Sequence, residues 1–293
     1  MALVITGANG FVGNRLASHL TRQGFEVLAL ARGNDPLPLL HRAKAVVHLA
    51  ARVHVVNEQS ANSLADYRQV NVITTTNLAR QAASAGVARF VFISSIKVNG
   101  EHTALGRAFT EQDAPSPKDA YGQSKHEAEI ALRKVATETG IEVVIIRPPL
   151  VYGPGVKSNF ALLMQAVIKG WPLPFGAISN ARSLVGIDNL VDFVHCCITH
   201  AEAANETFLV SDGNDLSIAQ LINEIALAAG VKPWLWSISP SILEFGACLV
   251  GRRQAMQRLC GNLQVDTTKA RTVLGWLPPV PLQDGLKRTV ANV

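Results

Sequence analysis

Apolar runs without strict alternation recur through the first half of the chain, at 2-ALVIT-6, 26-EVLAL-30, 45-AVVHLAA-51, 89-RFVFISS-95 and 141-IEVVIIRP-148. Strands covered on both faces read this way, so these runs predict a buried parallel sheet. Between them lie stretches of helical spacing: Asn14 to Gln23, 64-LADYRQVNVITTTNLARQAASAG-86, and a helix starting near Ala120. In the second of these, Val70, Ile73, Leu78 and Ala82 are the inward candidates. The alternation predicts a doubly wound, Rossmann-like α/β sheet. Ligands in such sheets bind at the carboxyl ends of the strands. After Pro148 the pattern changes. A helix at 159-NFALLMQAVIKG-170 and a turn-rich strand at 172-PLPFG-176 are followed by 182-RSLVGIDNLVDFVHCCI-198 and 206-ETFLVSDG-213. Further helices are expected at 217–229 and 241–260. Asp266-Thr267-Thr268 then reads as an N-cap and Gly275-Trp276 as a stop. The expected division is a dinucleotide-binding half, 1–150, interleaved with a smaller α/β substrate lobe, 151–293.

The chain has 293 residues, 48% hydrophobic and 17% charged. That suits one large α/β domain or two smaller ones and excludes a disordered chain. The net charge of +5 is spread over scattered arginines with no long basic run, which points to anionic small ligands rather than nucleic acid. Cys196, Cys197, Cys248 and Cys260 match no metal spacing. They are expected to be buried thiols in a reducing compartment, and no metal is expected. The four tryptophans, Trp171 and Trp276 among them, are expected to pack in the core or the lobe. The N-terminus runs straight into a strand, and no apolar run is long enough to span a bilayer. A soluble, cytoplasmic protein without membrane insertion is expected.

Gly7, Gly10 and Gly13 form G-x-x-G-x-x-G at the first strand-to-helix turn. The first glycine permits the tight turn. The second removes a side chain where backbone approaches a pyrophosphate, and the third lets helix and strand pack closely. The helix N-terminus then offers free N–H groups to phosphate. At the end of the second strand, where an acidic residue would hold the ribose of NAD, the chain has Ala31 and Arg32. Arg32 is available for a 2′-phosphate, which favours NADP with NAD as the alternative; a solvated arginine, or one stacked on adenine, is the other reading. Only 13 residues separate Arg32 from Val46, little room for a further strand and its crossover. Either an edge of the sheet has been lost or part of the native chain is absent.

Ser94 and Ser95 end one apolar run, and Tyr121 and Lys125 follow at i and i+4 on a helix, hence on one face. A nearby ammonium would lower the tyrosine pKa and make it a usable acid–base, with a serine holding the reacting oxygen. This is the equipment of a carbonyl-reducing or alcohol-oxidising site using a nicotinamide. Asn71 is open between a buried structural role and a functional one.

Together G-A-N-G-F-V-G, H-L-A-A, S-S-I-K-V-N-G, Y-G-Q-S-K and R-P-P-L-V-Y-G-P-G resemble the extended short-chain dehydrogenase/reductases, the nucleotide-sugar epimerase/dehydratase group. The resemblance implies Tyr121 as catalytic acid/base, Lys125 as its partner on the nicotinamide ribose, and Ser95 rather than Ser94 as the catalytic serine. It places Asn9, Phe11, Val12, Leu49, Ala50, Ala51, Asn71, Ser94 and Pro148 beside the cofactor, with the glycines and Arg32. Lys97, Asn159, Arg182 and Arg258 are implied substrate contacts, with Lys157 beside them. It also implies a UDP-sugar substrate and a homodimer formed by the helices carrying Asn71 and Tyr121. Ile96 and Lys97 stand where sugar 4,6-dehydratases carry Asp-Glu, which argues against a dehydratase. The strings SSIKVNG and RPPLVYGPGVKSNF look most like NADP-dependent 4-keto reductases acting on UDP-4-keto-6-deoxy-N-acetylglucosamine in surface-polysaccharide synthesis. A UDP-hexose 4-epimerase is the alternative. A redox-sensing regulator is a further one, disfavoured because both Tyr121 and Lys125 are kept.

Overall fold

In a computed structural model, residues 1–53, 63–249, 251 and 253–292 are described. The chain begins β1 (Ala2–Thr6), α1 (Phe11–Arg22), β2 (Glu26–Leu30), a one-turn α2 (Leu37–Leu40) and β3 (Ala45–His48). A helix α3 (Ser63–Tyr67) runs through a π-helical segment, Arg68–Thr74, into α4 (Thr75–Ser84). Next come β4 (Arg89–Ile93), a 3-10 turn at Ile96–Val98, α5 (Ala120–Thr139) and β5 (Glu142–Arg147). The second half comprises β6 (Leu150–Tyr152), α6 (Ser158–Ile168), β7 (Leu184–Gly186), α7 (Ile187–Thr199) and β8 (Thr207–Leu209). It ends with α8 (Ile218–Ala229), α9 (Pro240–Leu249), α10 (Arg253–Cys260), α11 (Thr268–Leu274) and α12 (Leu282–Val290).

Six strands form one sheet in the order β2-β1-β3-β4-β5-β8, every neighbouring pair parallel. Both faces are covered, as the unalternating apolar runs predict. On one face Leu3, Ile5 and Val47 pack with Leu16 and Leu20 of α1 and Leu190 and Val194 of α7. On the other, Val4, Val46 and Phe90 pack with Leu78 and Ala82 of α4 and Leu132 of α5. This is the doubly wound α/β fold. The short Arg32–Val46 segment carries no further strand. From β2 the chain makes one turn of helix and returns to pair β3 on the far side of β1, so β2 is the sheet edge. β2 and β3 lie on opposite sides of β1, and that change of direction is where a doubly wound sheet opens a crevice. β8 and α7, from the second half of the chain, join the sheet and its cover.

Several local expectations are corrected. α1 starts at Phe11, directly after the glycine turn, not at Asn14. Ile73 points outward, 47% exposed, and Asn71 is buried instead. The π segment is the cause, since its wider turns shift the helical phase that a 3.6-residue count assumes. The stretch 172–176 makes only isolated bridges, Leu173 with Leu235 and Phe175 with Ser237. The 241–260 helix is two helices broken around Gly251, whose φ is +68°. As expected, α11 begins in the Asp266–Thr268 stretch, with Thr267 at the cap position and the Asp266 carboxylate accepting from Thr268 N at 2.7 Å, and Gly275 stops the helix at φ +61°. Of the cysteines only Cys197 is fully buried, and Cys248 is exposed. Trp276 is core, its ring 4.7 Å from Phe193 and its N–H donated to Asp192, but Trp171, Trp234 and Trp236 are half exposed.

Candidate active site

The carboxyl ends of β1, β3 and β4 hold the sequence-predicted site. At β1 the glycine turn is built for close approach. Gly7 has φ +70°, and a Cβ there would lie 2.9 Å from Ala50 N. A Cβ on Gly13 would sit 2.0 Å from the Gly7 carbonyl oxygen, closer than atoms pack, so the third glycine is what lets α1 lie against the turn. Gly10 caps α1 without any side-chain hydrogen bond, leaving the first-turn N–H groups to the crevice. Asn9 and Gly10 are exposed at its rim, and Phe11 and Val12 are half-buried behind them. Leu49, Ala50 and Ala51 follow β3 on the opposite wall. The wall is pinned by Thr6, whose hydroxyl accepts from Ala50 N at 3.1 Å and pairs with His48 Nδ1 at 2.8 Å. His48 Nε2 meets the Thr75 hydroxyl at 2.9 Å. Burial first, and the Lys125 ammonium second, push His48 down to about 3, so it is a neutral strut. A donor-lined helix start facing a wall of small residues fits the phosphates of a dinucleotide. Arg32 is exposed two residues beyond β2, with no carboxylate beside it in sequence before Asp35.

Asn71 is a clamp. Its amide nitrogen donates to Arg52 O at 3.1 Å and Ser124 Oγ at 2.9 Å, and its oxygen accepts from Arg52 N at 2.8 Å. The Ser124 hydroxyl in turn donates to the Tyr121 carbonyl at 2.8 Å. The chain leaving β3 is thereby tied to the first turn of α5. These bonds use both amide hydrogens of Asn71 within the protein.

α5 starts at a true cap. The Asp119 carboxylate accepts from Gly122 N at 2.7 Å. Gly122 allows that first turn to touch the Ser95–Val98 turn, because a Cβ on it would lie 2.9 Å from the Lys97 carbonyl. So Tyr121 is delivered beside the residues following β4. Ser95 caps the 3-10 turn, its hydroxyl accepting from Lys97 N at 3.3 Å. Ser94 is different: it is buried, and its hydroxyl is spent on Glu129 at 2.5 Å. Pro148 is buried too, its carbonyl taken by Ile96 N at 3.0 Å. Lys97 pairs with Asp119 and, at 3.6 Å, with Glu101, and its nitrogen is 6.0 Å from the Tyr121 ring centre.

Lys125 lies one turn below Tyr121, 2% exposed, donating to the Ile93 carbonyl at 2.8 Å. Its nitrogen is 4.4 Å from the Phe92 ring centre and 6.0 Å from that of Tyr121. Burial lowers Lys125 to about 7, against the opposing pull of Glu129. The expectation that the ammonium lowers the tyrosine is not met. Tyr121 is raised, by burial first and then by the Asp119 carboxylate and Tyr67. The reason is local: the ammonium is itself desolvated and is directed to a backbone carbonyl, while Asp119 adds negative charge beside the phenol. In this state Tyr121 is a protonated phenol.

Sequence reading missed the support beneath this pair. Glu129 continues the i+4 series from Tyr121 and Lys125, and that spacing was its available signal. Glu129 takes Arg147 at 2.5 Å through one oxygen and 2.9 Å through the other, and Arg147 donates to Asn99 at 2.8 Å. The cluster joins α5, β5 and the turn after β4.

Of the expected sugar-nucleotide contacts, Asn159 is exposed in the first turn of α6, near the cap residue Lys157. Arg182 is half-buried, its guanidinium donating to the Gly261 carbonyl at 2.9 Å and its pKa lowered by burial. Arg258 lies in α10, but its side chain is outside the described residues. Asp188 holds Arg15 and Arg288 at 2.6 and 2.7 Å, a structural use.

Residues 3–211 match the family model described as "NAD dependent epimerase/dehydratase family". A UDP-glucose 4-epimerase of Vibrio cholerae is 45% identical over 98% of this chain and 94% of its own. Two solved structures share the fold. A UDP-glucuronic acid 4-epimerase of Bacillus cereus in complex with NAD has TM-score 0.81 at 21% identity, covering 100% of this chain and 98% of its own. RMD of Pseudomonas aeruginosa complexed with NADPH has TM-score 0.80 at 22%, covering 100% and 99%.

Proposed function

This chain belongs to the NAD dependent epimerase/dehydratase family and is an enzyme of the extended short-chain dehydrogenase/reductase type, and within it we propose a UDP-hexose 4-epimerase. The observation that carries the reading is Tyr121 on α5 with a buried Lys125 one turn on, its nitrogen 6.0 Å from the phenol ring, in a chain 45% identical to a UDP-glucose 4-epimerase. That relative moves the preference away from the 4-keto reductase suggested by the short motifs. The Gly7–Gly13 turn and Lys125 would hold a nicotinamide dinucleotide, which would supply the acceptor and donor of hydride at sugar C4. Tyr121 Oη takes the 4-hydroxyl proton and returns it, and Ser95 Oγ orients the oxygen. Inversion requires the hexose to present its other face to the same tyrosine. The lobe therefore has to grip the UDP, through groups such as Asn159 and Arg182, and leave the sugar free to turn.

Arg32 favours the second reading, an NADP-dependent reductase of a UDP-4-keto-6-deoxy-hexosamine. The two part in one assay. Incubation with UDP-glucose or its N-acetyl analogue and NAD should give the C4 epimer, with no net change at 340 nm. Steady NADPH oxidation with the 4-keto sugar, and no epimer from either UDP-sugar, would assign the reductase instead.

We also place a homodimer interface on α4 and α5. Ile73, just before α4, and Ile130 on α5 are 47% and 55% exposed. Light scattering at micromolar concentration should give twice the 31.4 kDa chain mass; a monomer would remove this interface.

A further inference from the structure

The C-terminal lobe carries an apolar face that the proposed reaction does not use. The segment around Trp234–Trp236 runs beside 171–176, with Leu173 N donating to Trp234 O at 2.8 Å and Trp236 N to Leu173 O at 2.9 Å. Extended chain alternates its side chains, so Leu235 turns inward onto the lobe core while both tryptophans turn out. They are 54% and 50% exposed, their rings edge to face at 5.9 Å. Trp171, at the head of the neighbouring segment, is 58% exposed. The chain then enters α9, where Leu243 packs on the core but Ile242 and Phe245, at i and i+3, are 64% and 68% exposed. Cys248 continues that outer stripe.

Two features say what covers this face. Tryptophan combines an apolar ring with a donor N–H, which suits the headgroup layer of a bilayer. The sequence alongside it is basic. Lys169 stands 5.8 Å from the Trp171 ring centre, and Lys232 is exposed just before Trp234. From 232 to 258 the sequence carries Lys232, Arg252, Arg253 and Arg258 against Glu244 alone. A second copy would bring two such basic segments together, whereas an anionic lipid surface neutralises them. α9 has 10 residues, and no helix among the described residues is long and apolar enough to cross a membrane, so α9 would lie in the plane of the surface.

We propose that the face formed by Trp171, Trp234, Trp236, Ile242 and Phe245 docks the C-terminal lobe peripherally on an anionic phospholipid bilayer. This stands independently of which sugar-nucleotide reaction the site runs. The test is sedimentation of the full chain with vesicles of phosphatidylethanolamine containing about 30% phosphatidylglycerol, beside vesicles of phosphatidylcholine alone. The protein should co-sediment with the anionic vesicles only, and brominated acyl chains should quench its tryptophan fluorescence, the residual signal coming from buried Trp276. Trp234→Ser/Trp236→Ser and, separately, Ile242→Ser/Phe245→Ser should each weaken vesicle binding by about ten-fold or more, with unchanged circular dichroism and light-scattering mass. Absence of co-sedimentation, or variants that bind like the parent, would overturn the proposal. So would a halved mass in either variant, because a second copy would then be the occupant.

Discussion

Tyr121→Phe is expected to lower turnover by roughly 10²–10⁴-fold while leaving nucleotide binding within a few-fold of the parent. The substitution removes one oxygen and little else. The ring keeps its edge-to-face contact with Tyr67 at 6.2 Å, and the cap of α5 depends on Asp119 and Gly122, not on the phenol. Lys125 keeps its bond to the Ile93 carbonyl. What disappears is the group that takes and returns the 4-hydroxyl proton. Because burial and Asp119 hold the phenol protonated, its conversion to a base depends on positive charge arriving when the site is filled. Lys125, poised at about 7, is the part of that charge the chain itself provides. Steady-state kinetics with a parallel nucleotide titration measures both quantities. Turnover within a few-fold of the parent would remove Tyr121 from the chemistry.

Glu129→Gln should destabilise the fold by about 3–5 kcal/mol. Glu129 and Arg147 are 2% and 4% exposed, and the carboxylate satisfies the guanidinium through both oxygens while accepting from Ser94. Removing the charge from one partner strands the other in a medium that solvates it poorly. The double variant Glu129→Gln/Arg147→Met should lose less than the sum of the two single losses, as coupled buried partners do. Equilibrium denaturation of the four proteins gives the cycle. Additive losses would show that the ion pair does not act as a unit. Glu129 also opposes the lowering of Lys125, so the same variant should weaken catalysis through a less charged lysine.

The sheet was legible in the sequence because its strands are covered on both faces, and continuous apolar runs such as 141–148 suit few elements besides a buried strand. The turn at Gly7–Gly13 was legible because the reason for each glycine is a backbone contact at short range. Tyr121 and Lys125 could be placed on one helix face by counting. What stayed hidden depends on groups distant in sequence. The Glu129–Arg147–Asn99–Ser94 cluster joins positions from three elements, and only its first member follows a helical count. The direction of the Tyr121 shift rests on burial and on the orientation of Asp119, neither of which spacing encodes. The π segment moved Asn71 inward and Ile73 outward against a regular helical count. The tryptophans show the limit of composition: Trp276 found a core and an Asp192 partner, while the other three sit on a surface.

One tyrosine serving both directions of an oxidation and reduction at sugar C4 is the central claim. The most direct measurement uses UDP-glucose deuterated at C4, mixed with the protein and an excess of unlabelled NAD, with the product analysed by mass spectrometry and NMR. The account predicts UDP-galactose that keeps the deuterium at C4, formed by the parent and not by Tyr121→Phe. Deuterium lost to the free nucleotide pool, or no epimer at all, would contradict it.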